Sequence, residues 1–421
     1  MVPPTCCSGA EFLQHSESAV LPHTALKPAH NPIPASSRTT TRAANGACPE
    51  PTRLARAVQG AIAALALGAA DTLLKPGRGT FAGRFGETLV ANTSGLTLST
   101  NGGNVLFKGV LNSANQYSGV NSTTALTWVE ANTQATGVAN SYLATITSRL
   151  ENSIAALAGS YNTGWLGGRR LSNGTWQWSG GPEAGQAFTY TNWAPNEPNN
   201  CCTNYTNALG YGGENATQFT GSNGNWNDLF DNGARGAGDK LNYYIRETTI
   251  NSAPLTIHAG AGNITFEKSV GTGKVLANFA VTGHQITFSE ALKLDSTGIN
   301  LTNTGASSVA GVISGTGALA KNGAGTLTLS GANTYSGATQ VNAGMLSVAN
   351  SLGLGTTAGT TTVASGAAIQ FSGNVTVPET ITLAGDGISS AGALRNLSGS
   401  NTLTGSVALT AASEFQSDAG T

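Results

Sequence analysis

"GTGALAKNGAGTLTLSGANTYSGATQVNAGMLSVAN" spans residues 315–350. It contains three short runs, "TLTLS", "ATQVN" and "GMLSV", in which apolar and polar side chains alternate. Alternation with period two is the pattern of a strand with one buried face. Gly323, Gly325, Gly331, Gly337 and Gly344 punctuate the runs, as turn residues do between short strands. A looser echo, "GALRNLSGSNTLTGSVALT" at 392–410, repeats the cadence. Short strands, turn glycines and internal repetition predict a solenoid whose rungs bury their apolar side chains on one another. The alternative is an ordinary Gly/Thr-rich antiparallel β domain.

At these residues the sequence resembles the autotransporter-associated β-strand repeat of bacterial passenger domains. The resemblance implies an all-β right-handed parallel β-helix over 250–421, projecting from an outer membrane. That family normally ends in a membrane β-barrel, and no such pattern occurs here. The expectation is therefore a fragment, with outer-membrane association through a C-terminal part that this chain does not contain.

The rest of the chain has a different chemistry. All six tryptophans, Trp128, Trp165, Trp176, Trp178, Trp193 and Trp226, lie before residue 250, so a compact aromatic core is expected there only. Net charge is -1, from 20 basic and 21 acidic residues, and this argues against nucleic acid as a partner. Charged residues are only 10% of the chain and glycines number 56, a composition of many short strands and tight turns. None of the five cysteines, Cys6, Cys7, Cys48, Cys201 and Cys202, forms a C-x-x-C pair, and no histidine lies between His30 and His258, which disfavours a zinc site.

Arg53 and Arg56 precede a short apolar run, Ala61–Ala70, in the layout of a secretory signal peptide. The run is too short to cross a bilayer, which takes about 20 residues. Residues 1–70 are expected to be a leader, with cleavage after Ala70, and residues 71–104 a linker or short β lead-in. An Ala-rich helix of a cytosolic domain is the competing reading.

Residues 124–159 read as helix, loop, strand and helix, with Trp128, Ala131 and Ala135 on one helix face and Ser148 with Glu151 fitting a capping box. "TGWLGGRR" (163–170), "GTWQWSGG" (174–181), "NWAPNEPNN" (192–200), "GNWNDLF" (224–230) and "NYYIRET" (242–248) follow. Six motifs in this order resemble the α+β C-type lectin-like domain, over roughly 105–249. The resemblance makes Trp165 and Gly167 fold-determining and Trp226 mainly core. The family's two common disulfides are missing: Ala135 and Arg246 stand where one pair would be. Cys201 and Cys202 do not replace them, and are expected to sit inertly in a loop, a vicinal disulfide being the sharper alternative.

The residues with chemistry are Glu197, Asn199, Asn227 and Asp228. Calcium takes six to eight oxygens, and these side chains with the Asp228 carbonyl supply several. Two adjacent sugar hydroxyls can complete the shell, each donating to a carboxylate such as Glu197 and accepting from an amide such as Asn199. A cis Pro198 would hold both side chains on one side of the turn. By resemblance, Glu-Pro-Asn implies a mannose-, glucose- or fucose-type diol, and Gln-Pro-Asp implies galactose. The family usually has another acid just after the turn. Here Glu214 is the sole acid between Asn199 and Asn227, a displaced and doubtful fifth ligand. A weak calcium site is therefore expected, with turn and core motifs persisting without metal as the alternative.

The functional expectation is an exported, cell-surface adhesin that binds carbohydrate or glycoconjugate. A metal-independent protein-interaction or purely structural passenger is the alternative. An enzyme is not expected: beyond the leader only His258 and His284 occur, in no recognisable catalytic setting.

Overall fold

The computed structural model describes residues 83–85, 88–90, 96–100, 102–221 and 224–421. The expected leader, with Cys6, Cys7 and Cys48, lies outside them. Among the described residues no helix is long and apolar enough to cross a membrane.

The repeat region is a parallel β-solenoid. A ten-stranded sheet and an eleven-stranded sheet run along it, and all their pairings are parallel. "TLTLS", "ATQVN" and "GMLSV" form strands Thr326–Leu329, Thr339–Val341 and Met345–Val348. Register stacks like on like: Phe107, Phe266, Phe288, Val309, Leu329, Val348 and Phe371 form one inward row. All seven are buried, each contributing on the order of 1.5–3 kcal/mol. Phe107 stacks on Phe266 at 4.9 Å and Phe266 on Phe288 at 4.4 Å.

Polar residues close the turns. The Asn333 Oδ1 accepts from the Ile313 amide at 2.8 Å, and its Nδ2 donates to the Gly353 carbonyl at 2.6 Å. One side chain thus ties three rungs, which is why asparagine recurs in the cadence. Lys321 is buried, and its Nζ donates to the carbonyls of Asn322, Gly323 and Ala343 at 3.0, 2.7 and 2.9 Å. Burial pulls its ammonium down to about 8.

Glu379 is a second buried charge. One oxygen accepts from the Thr361 hydroxyl at 2.9 Å, while Oε2 has no hydrogen-bond partner. Burial pushes its carboxyl up to about 7, against a lowering by the Thr361 hydroxyl. A raised folded-state pKa contributes stability that is full below the unfolded value of 4.5 and is lost as pH rises through about 7. Glu379→Gln should therefore match the parent at pH 4.5 and melt about 3 °C higher at pH 8, by calorimetry. An unchanged melting curve at pH 8 would contradict this.

The tryptophan-rich domain does not follow the solenoid; it interrupts it. Strands Leu96–Ser99 and Val105–Phe107 pair in parallel with Ala253–His258 and Ile264–Phe266. Residues expected as a lead-in, and the first residues assigned to the head at 105, are solenoid rungs. The head begins at the strand Gln116–Leu126 and ends at Leu241–Thr248, which pair antiparallel with Gln116 opposite Thr248. Adjacent ends allow one domain to be inserted in another without stretching either. Asn115 and Glu247 mark the seam. Glu247 is buried and accepts from Asn115 Nδ2 at 2.5 Å, the Thr145 amide at 2.8 Å and the Tyr142 hydroxyl at 3.1 Å. Lys274, from the solenoid, donates to Asn115 Oδ1.

Within the head, helices Trp128–Thr136 and Arg149–Ala158 flank a sheet whose strands include Gly164–Arg170, Ala216–Phe219 and Trp226–Leu229. Trp128, Ala131 and Ala135 are buried, as expected of one face. Thr127 and Glu130 make a complete capping box; Ser148 accepts from the Glu151 amide, but the Glu151 carboxylate turns to Thr147. Trp165 donates to the Leu126 carbonyl at 2.9 Å and Trp128 to that of Leu166 at 2.7 Å, locking helix to sheet. At Gly167 a Cβ would lie 2.5 Å from the Leu143 carbonyl, so only glycine fits.

Candidate functional site

Loop 192–204 is bonded to the strand Trp226–Leu229 at its entry. The Trp226 amide donates to the Asn192 carbonyl and the Ala194 amide to that of Trp226, both at 2.8 Å. Trp226 itself is anchored by its indole N–H, which donates to Asn152 Oδ1 at 2.7 Å. The Glu197–Pro198 peptide is cis, as the sequence led us to expect. Beyond it, the Asn199 and Asn200 amides donate to the two oxygens of Asp228, at 3.2 and 3.0 Å. Asp228 is wholly buried on its strand and fastens the turn from below.

Four of the five predicted site residues share this neighbourhood. The Asn199 amide group donates to the Glu197 carboxylate at 3.0 Å, and Asn227 Nδ2 to the Asp228 carbonyl at 2.6 Å. Glu197 is pushed above its ordinary value, first by burial and then by its hydrogen bond to Asp228, with the Asn199 amides opposing. Two carboxyl groups thus face each other across a partly open turn. Among the described residues no three His, Cys, Asp or Glu side chains converge as a metal cage. The set fits calcium only by drawing on amide and carbonyl oxygens as well, which are the hard donors that ion takes. A half-turn of the Asn227 amide would present its oxygen where Nδ2 now lies.

Glu214 stands apart. It is buried, and its carboxylate accepts from Arg235 Nη2 at 2.6 Å and from the Cys201 amide at 3.1 Å. Burial and the charge of Asp228 push it up to about 7, and Arg235 opposes them. Arg235 also pairs with Asp239 at 2.7 Å and lies over the Phe230 ring at 5.2 Å. Sequence reasoning missed Arg235 and Asp239. Their four-residue spacing is a common surface pattern and carries no sign that Glu214 would join them.

Cys201 and Cys202 are not inert neighbours: they are disulfide-bonded to each other. Arg235 Nη1 lies 3.6 Å from one sulfur and 3.4 Å from the other.

Residues 319–348 match the model of the passenger-associated-transport-repeat. A search of the curated proteins gives no match. Among solved structures, the cow C-type carbohydrate-recognition domain of CD23, determined in the presence of GlcNAc2Man3 oligosaccharide, is 24% identical over 32% of this chain and 89% of that one, with a TM-score of 0.25. The carbohydrate-recognition domain of the mouse scavenger receptor C-type lectin is 21% identical over 31% of this chain and 89% of that one, also with a TM-score of 0.25.

Proposed function

We propose that the chain is an exported surface passenger whose inserted head binds vicinal diols of carbohydrate or glycoconjugate through a weakly held calcium ion. The passenger repeat at 319–348 supports export. The observation that carries the binding reading is the convergence of Glu197, Asn199, Asn227 and Asp228 on one turn and strand, with two facing carboxyls. When bound, the ion would supply a positive centre for two adjacent hydroxyls. Glu197 would accept a hydroxyl proton and the Asn199 amide would donate to a hydroxyl oxygen. Asp228 would hold the turn and contribute charge. This is a binding module rather than an enzyme.

The test is a glycan array on the full chain, with millimolar calcium and with chelator. Binding to mannose-, glucose- or fucose-type diols should need calcium. Glu197→Gln with Asn199→Asp should keep some calcium affinity and move preference at least about ten-fold toward galactose, because donor and acceptor exchange places. Absence of any calcium effect on binding or melting would sink the reading.

A second reading is a protein-binding loop without metal. It is favoured by Arg235, which already balances Glu214, and by the exposed Tyr205 and Leu209 on the segment that follows the turn. Calcium-independent capture of a protein partner would support it.

A further inference from the structure

We propose that the Cys201–Cys202 bond is a redox-sensitive positioning element for Asn199, so that opening it weakens ligand binding at the turn. The proposal rests on the diol reading for its functional consequence, though not for its structural one.

Three contacts carry it. First, the Cys201 amide donates to Asn199 Oδ1 at 2.7 Å and to Glu214 Oε2 at 3.1 Å. The residue that must face a ligand is thus held from behind by the backbone of the disulfide. Second, the segment is in an uncommon conformation: Asn200 and Cys202, on either side of Cys201, have φ of 48° and 61°. Asparagine tolerates this left-handed region through its short polar side chain, whereas a cysteine side chain offers no such aid. The bond between adjacent side chains closes a small ring that limits escape to ordinary backbone angles. Third, Arg235 touches both sulfurs while gripping Glu214 and Asp239, so the ring is seated on a fixed base. Both cysteines are partly exposed.

The chemistry balances with a small dithiol as reductant. Its thiolate attacks one sulfur, the Cys201–Cys202 bond breaks, and a mixed disulfide forms. The second thiol resolves it, leaving two cysteine thiols and the cyclic disulfide of the reagent. Two electrons and two protons pass to the protein. Cys202 can then leave the left-handed region, and the Cys201 amide is no longer held against Asn199.

The experiment uses the full chain, prepared without reductant, with dithiothreitol as the probe. Mass spectrometry of the peptide carrying both cysteines should show it two hydrogens lighter than after reduction. Hydrogen exchange at the Cys201 amide should speed up about ten-fold on reduction, and calcium-dependent sugar affinity should fall by a similar factor. Cys201→Ser with Cys202→Ser should sit permanently in the weak state and ignore dithiothreitol, while melting of the solenoid stays unchanged. Free thiols at Cys201 and Cys202 in the untreated protein would overturn the proposal, as would unchanged exchange after reduction. Faster exchange in a protein that binds no sugar in either state would uphold the positioning role and sink the diol reading alone.

Discussion

Asp228→Ala is expected to abolish calcium-dependent binding and to release the turn at 197–201. The Asp228 side chain is fully buried, and both its oxygens accept main-chain amides, from Asn199 and Asn200. Hydrogen bonds to a charged group are worth about 1.5–3 kcal/mol each, so the loss of two should exceed a hundred-fold in the population of the closed turn. The same change removes one of the two carboxylates that would face the ion. Glu197 should then titrate lower, since its hydrogen bond to Asp228 is one cause of its upward shift. Calcium titration and hydrogen exchange over 197–201 are the measurements. Sugar binding within two-fold of the parent would show that the ligand sits elsewhere.

Phe266→Ala should cost about 3–5 kcal/mol and act locally. Phe266 is buried between Phe107 and Phe288, at 4.9 and 4.4 Å, with the edge of Phe279 at 6.1 Å. No neighbouring side chain can fill the gap without breaking the row. Solenoid stability is roughly a sum over rungs and their interfaces, so damage should stay near the cut. Exchange should accelerate at 96–107 and 253–266, while strands Met345–Val348 and Ala368–Ser372 keep their protection. A loss below about 1 kcal/mol, or uniform loss along the solenoid, would contradict this.

Local pattern revealed what local pattern controls. Strands 326–348 were legible because glycine spacing and alternation are properties of adjacent residues. Trp165 and Gly167 were legible because each meets a demand that few residues satisfy. The partners of Leu96–Ser99 and Val105–Phe107 were not, because alternation shows that a residue is buried and says nothing about its neighbour. A chain that leaves a fold and returns long afterwards looks, in sequence, like two domains in series. That Glu197, Asn199, Asn227 and Asp228 lie together was legible through their motifs. Arg235 was hidden because ion pairing with Glu214 depends on a fold that brings separate loops together.

The interruption of the solenoid by the head has a consequence for the order of folding. The Asn263 amide meets Asn104 Oδ1 across 159 residues of sequence, and the Ala253 amide meets Ser113 Oγ across 140. Closing such a loop in an unstructured chain costs about 2–3 kcal/mol more than closing one of under ten residues. Once the head has folded, Gln116 lies opposite Thr248 and the long loop becomes a short one. The rungs before the head should therefore wait for it, while those from Leu276 onward can assemble on their own. A slow-folding head would leave Leu96–Ser99 and one edge of Val105–Phe107 unpaired for as long as the delay lasts, and that is the interval in which this chain is most exposed to aggregation.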